Sequence, residues 1–187
     1  MVKRNARLAF FGGYFAFPGG TLEEQDREVV VSHLPHFEES LKQDYPLFLA
    51  AAARELFEET GVWLARGSSA PSGERLREYR RQMLSGQIRF SQILKREDQH
   101  LDGSDFTPIC RITTPPFTPE RYDTWFLRCQ MPVGEEVEIW PGELDEGYFI
   151  TAEEVLERWR RGEVLVVPPV LILLQELAGR DCQSFLP

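Results

Sequence analysis

Arg54-Glu55-Leu56-Phe57-Glu58-Glu59-Thr60-Gly61-Val62 is the stretch that decides the fold. At about 100° per residue, Glu55, Glu58 and Glu59 share roughly a 100° arc of one helical turn. Each like-charge pair costs a few tenths of a kcal/mol on an isolated helix. A hard divalent cation, which prefers oxygen ligands, would relieve that repulsion and use the cluster. Leu49, Ala52, Ala53, Leu56 and Phe57 project the other way, so the helix has an apolar side and a chemical side. The spacing predicts a helix over about Pro46 to Thr60, with proline in the first turn and Gly61 as its stop.

Around this helix the chain reads as one soluble domain over 1–187, long enough for a substantial core. Its 42% hydrophobic and 27% charged residues are ordinary for a globular protein. A net charge of −9 argues against a nucleic-acid partner but not against a small phosphate-bearing substrate. Cys110, Cys129 and Cys182 are widely separated, which predicts free thiols in a reducing, cytoplasmic setting. No apolar run reaches the ~18 residues of a membrane span, and no secretory signal is expected. Phe185-Leu186-Pro187 is not a peroxisomal address.

Leu8 to Phe17 predicts a strand or extended segment entering the Phe17-Pro18-Gly19-Gly20 turn. Asp26 to Tyr45 reads as a long loop with a short helix near Phe37 to Gln43. Arg66 to Gly73 reads as a flexible connection. Helices are expected over Glu74–Leu84 and Ile88–Lys95, and strands over Phe106–Ile112 and Tyr122–Met131. Shorter strands are expected over Val137–Trp140 and Tyr148–Ile150. Thr151 to Glu154 forms a capping-box pattern for a helix to about Arg161, and Val170–Leu177 closes the chain as an apolar helix. Irregular alternation of strands and helices points to an α/β domain.

The Gly-Gly turn and the R-E-apolar-x-E-E-x-G-apolar helix, with Glu143 six residues before Phe149, resemble the Nudix hydrolases. Their signature is G-x5-E-x7-R-E-U-x-E-E-x-G-U, where U is apolar. The nine-residue half alone should arise by chance in on the order of one in 100,000 chains of this length. Two departures stand out. Gly20 plus six is Asp26, where the signature has Glu, and Asp26 lies 28 positions before Arg54 instead of 8. An insert of about 20 residues, around 27–46, therefore interrupts the motif; lengthening a surface loop costs only slowly growing closure entropy. Phe-Pro-Gly-Gly, the insert and Ala51-Ala52-Ala53-Arg54-Glu55 resemble the branch of the peroxisomal coenzyme A diphosphatase. So do Ile112-Thr113-Thr114-Pro115-Pro116-Phe117, Arg121-Tyr122-Asp123-Thr124-Trp125-Phe126, Gly142-Glu143-Leu144 and Gly162-Glu163 with Pro168-Pro169. The family's first strand should precede the Gly-Gly turn; it is short here, or the chain begins late.

The resemblance implies an α/β/α sandwich with a mixed sheet and a metal-dependent diphosphatase. Glu55, Glu58, Glu59 and the Gly20 carbonyl would hold Mg²⁺ or Mn²⁺. Glu143 or a helix glutamate would be the general base, and Arg54 would orient the carboxylates. Arg121, Tyr122 and Asp26 are substrate-binding candidates. Coenzyme A or an acyl-CoA is the favoured substrate, with ADP-ribose, NADH and dinucleoside polyphosphates open, as is a silent nucleotide-binding sensor. The insert could serve as a substrate lid or a homodimer contact.

The plainer readings stay open beside these. Glu143 reads equally well as a surface acid, and Arg121 as an ion-pair partner of Asp123. Tyr122, Trp125 and Phe126 suit a core strand. Arg75, Arg77, Arg80 and Arg81 read as a solvated helix face. His33 and His36 lack nearby cysteines for a zinc site.

Overall fold

The computed structural model describes residues 1–34, 44–114, 116–117, 121–140 and 142–179. In chain order the elements are β1 (Val2–Arg4), β2 (Tyr14–Ala16), a 3₁₀ turn (Glu24–Glu28), β3 (Val31–Ser32), α1 (Tyr45–Thr60), β4 (Arg66–Gly67), α2 (Gly73–Leu84) and α3 (Phe90–Arg96). They continue with β5 (Gln99–Asp102), β6 (Phe106–Thr113), β7 (Asp123–Cys129), β8 (Leu144–Gly147), α4 (Ala152–Arg160), β9 (Leu165–Val166) and α5 (Pro168–Leu177). The result is a mixed α/β fold. The chain divides into two compact units, Met1–Pro18 with Val137–Pro187, and Gly19–Glu136.

The first unit is built on a mixed sheet of order β8-β1-β2-β9. β1 runs antiparallel to both neighbours, with Val2 opposite Ala16 and Gly147, while β9 is parallel to β2. β1 is only three residues long, yet it lies between two partners. Val2, Phe15, Leu144, Val155, Val170 and Leu174 are buried in this unit. Thr151 caps α4 by accepting the Glu154 N–H at 3.2 Å, which satisfies one orphan donor of the first turn.

Three expected strands fall elsewhere in this unit. Leu8 to Gly13 is not a strand; it turns back on itself, with the Leu8 N–H bonded to the Asn5 carbonyl at 3.0 Å, and only Tyr14–Ala16 is extended. Val137–Trp140 is β-prone in composition but joins no ladder among the described residues; Ile139 instead covers the bare face of Gly147. The strand expected at Tyr148–Ile150 lies earlier, over Leu144–Gly147, where β-propensity is poor. Pairing with β1 overrides propensity there. Asp145 and Glu146 put charge on this edge, with Glu146 bonded to Lys3 at 2.9 Å, which suits an exposed strand.

The second unit centres on α1. Leu49, Ala50, Ala53 and Phe57 are buried on its inner side. Phe57, Trp63 and Phe90 form an aromatic cluster with ring centroids 4.9–6.3 Å apart. Gly61 ends the helix in the left-handed region, φ +77, its N–H returning to the Phe57 carbonyl. β5 pairs parallel with β3 and antiparallel with β4, and β6 and β7 form an antiparallel pair.

The first part of the insert is structured here. Val31–Ser32 pairs with β5, the Ser32 hydroxyl donates to the Leu101 carbonyl, and His33 meets Asp102 at 3.1 Å. The short helix expected near Phe37 to Gln43 lies outside the described residues, as do His36 and Cys182. The connection Arg66 to Gly73 is more ordered than its composition suggests. Its first two residues form β4, Gln99 bonds the Ser69 carbonyl, and Ser72 caps α2.

Candidate active site

The carboxylate turn of α1 is organised by Arg54. This side chain is fully buried. Its Nε and Nη2 donate to the two oxygens of Asp26 at 2.9 and 3.2 Å, and Nη2 also donates to the Thr21 carbonyl at 2.8 Å. Nη1 faces Glu55 at 3.0 Å, with Glu58 and Glu23 both at 3.4 Å. One guanidinium thus gathers four carboxylates from two segments far apart in sequence. Burial alone would lower the Arg54 pKa, but Asp26, Glu55 and Glu58 outweigh it, so the charge is held firmly.

Asp26 is the deepest of these acids, 2% exposed. Besides Arg54 it accepts the Glu23 N–H at 2.7 Å, closing the 3₁₀ turn that carries it. The turn lays residues 19–26 against α1. Gly19 adopts φ +150, a conformation other residues rarely reach, and its N–H donates to Glu59 at 2.9 Å. Gly20 is needed for a different reason. A Cβ there would overlap the Glu55 carboxylate. The Gly-Gly pair thus supplies one special dihedral and one close approach.

The side chain of Glu58 is 23% exposed. Burial, the largest cause, pushes its carboxyl up from 4.5 to about 7; Arg54 opposes this, and Glu55, Glu23 and Asp26 add to it. Among the described residues, no three His, Cys, Asp or Glu side chains are grouped to hold a metal ion. Arg54 and the Gly19 N–H hold the helix carboxylates instead. The donor set still fits a hard divalent cation in kind. It is all oxygen, its side chains are carboxylates, and the backbone of Gly20 lies directly against Glu55.

Glu143 is exposed in the turn before β8, its carbonyl accepting the Asn5 N–H at 2.7 Å. Arg121 and Tyr122 lie in the β6–β7 connection, where Tyr122 is held by Thr114. Asp123, a suggested partner of Arg121, is gripped by Arg111, with Nε at 2.7 Å.

Two residues of this region escaped the sequence reading. Glu23 had no signal beyond its charge. Arg80 did carry one, and its assignment to a solvated face is corrected. Arg75, Arg77 and Arg81 are exposed, but Arg80 is 1% exposed, on the side of α2 that buries Leu76, Tyr79 and Met83. Those residues lie at i, i+3, i+4 and i+7, the spacing of a core-facing stripe. Arg80 Nε donates to the Glu58 carbonyl at 2.9 Å.

The fold is that of a Nudix hydrolase. The chain superimposes on the crystal structure of a NUDIX hydrolase from Alicyclobacillus acidocaldarius with a TM-score of 0.76. The match covers 98% of this chain and 84% of that one, at 24% identity. No protein-family model matches the chain, and no curated protein does. Among the described residues no helix is long and apolar enough to cross a membrane.

Proposed function

We infer that residues 1–187 act as one Nudix-type domain hydrolysing a diphosphate linkage in a nucleoside diphosphate derivative. One observation carries this reading: Arg54 assembles Glu55 and Glu58 on one helical turn against Gly20, in a fold shared with a NUDIX hydrolase. Glu55, Glu58, Glu59 and the Gly20 carbonyl would hold Mg²⁺ or Mn²⁺. When bound, the ion would neutralise diphosphate charge and lower the pKa of an attacking water. The protein's own residues set the geometry. Arg54 orients Glu55 and Glu58, the Gly19 N–H fixes Glu59, and Asp26 holds Arg54 in place; with both oxygens engaged, Asp26 suits positioning better than substrate contact. Glu58 or Glu143 takes the proton of the attacking water.

Coenzyme A or an acyl-CoA is the substrate we favour, on the resemblance of residues 112–126 and 142–169 to that branch. Incubation with Mg²⁺ or Mn²⁺ and a panel of coenzyme A, ADP-ribose, NADH and dinucleoside polyphosphates tests this. Release of 3′-phospho-AMP from coenzyme A supports it. AMP from another member of the panel would move the substrate but keep the reaction. No turnover with metal bound would favour a nucleotide-binding sensor. Glu58→Gln and Glu59→Gln should each lower turnover by orders of magnitude; full activity in both removes the mechanism.

A further inference from the structure

We propose that Arg80 is a positioning residue for the carboxylate turn, acting through the backbone of Glu58 from a different helix. The inference rests on the diphosphatase reading above. The last four carbonyls of any α-helix lack intrahelical partners. In α1 these belong to residues 57–60. The Phe57 carbonyl accepts from Gly61 N at 2.9 Å, and the Glu58 carbonyl accepts from Arg80 Nε at 2.9 Å.

Arg80 is almost wholly buried, and a guanidinium taken from water costs several kcal/mol unless its donors are matched. A buried cation at a helix C-terminus also opposes the negative end of the dipole. Here that end coincides with the turn carrying Glu58 and Glu59. Arg54 engages the turn through its side chains, and Arg80 engages it through its backbone. Two buried guanidiniums, from α1 itself and from α2, therefore clamp the same residue. The clamp fixes where the Glu58 Cα sits, and so where its carboxylate can reach.

The test uses the full chain and Mn²⁺ alone, with free Mn²⁺ read by electron paramagnetic resonance well below the melting temperature of every variant. Arg80→Met keeps most of the stem but removes the donor; it should weaken Mn²⁺ binding about tenfold, the low end for residues that orient metal ligands. Arg80→Lys keeps the charge and should recover part of that loss. Leu76→Ala, in the same buried stripe, lowers stability without touching Glu58 and should bind Mn²⁺ as the wild type does. Wild-type affinity in Arg80→Met overturns the proposal. So does an equal loss in Leu76→Ala, which would mark a general effect of loosening α2. Should Arg80→Met fail to fold, Arg80→Lys decides: weaker binding supports the clamp and unchanged binding refutes it. A wild-type chain that binds no Mn²⁺ sinks this inference together with the functional reading. Binding with no turnover on the diphosphate panel sinks only the latter.

Discussion

Removing the charge of Glu58 should make the metal-free protein more stable while destroying its activity. Its folded carboxyl ionises near 7 and an unconstrained one at 4.5. Below pH 4.5 both states hold the proton and nothing is lost. Between 4.5 and 7 the unfolded chain ionises and the folded one resists, so stability falls as pH rises. Above 7 the cost is constant. At about 1.4 kcal/mol per pH unit it is on the order of 3 kcal/mol, and nearer 2 after allowing for solvent screening of a partly exposed group. Glu58→Gln mimics the protonated acid and escapes this cost. In EDTA at pH 8 the variant should therefore melt roughly 4–8 °C higher, at about 2–4 °C per kcal/mol for a chain of this size. At pH 4 the two should coincide. Adding Mg²⁺ or Mn²⁺ should stabilise the wild type and close the gap. Thermal melts across pH 4–9, with and without metal, read all of this. Equal melting temperatures at pH 8 in EDTA, or a less stable variant, would refute the reasoning.

Other perturbations separate fold from site. Arg54→Met strands Asp26 as a buried, unpaired carboxylate and should cost about 3–5 kcal/mol in urea unfolding. The double variant Arg54→Met/Asp26→Asn should recover much of that, and strict additivity would count against the pairing. Gly20→Ala should leave stability within about 1 kcal/mol, because the Glu55 carboxylate can swing away from the new methyl, yet should lower Mn²⁺ affinity and turnover together. Asp102 accepts from the Ser104 hydroxyl and N–H and from His33, which hold its carboxyl down at about 2, against an ordinary 3.8. Its contribution is complete above 3.8 and is lost as pH falls toward 2, so Asp102→Asn should flatten that part of the acid-unfolding curve.

The helix that carries the site was readable because three independent signals coincide on it: an apolar stripe, a proline at its start and Gly61 at its end. The sheet was read less well. Leu144–Gly147 is a strand through its partner β1, and no local pattern reveals a partner 140 residues away. Val137–Trp140 is the converse, with good strand residues and no ladder. In the site, the helical glutamates announce themselves by one-turn spacing, and Asp26 by its distance from Gly20. What no spacing could show is that Asp26 reaches Arg54 across the insert. Arg80 was legible in principle. Its place among Leu76, Tyr79 and Met83 is a core position, but reading four arginines as a charge run hid it.

The Asp26–Arg54 pair also limits how such a chain can change over generations. Losing either partner alone leaves a buried charge without its counterion, a cost of several kcal/mol that would exceed much of a typical domain's stability margin. The two positions therefore form a single heritable unit split across an insert of some twenty residues. Drift at one should be seen only with compensation at the other.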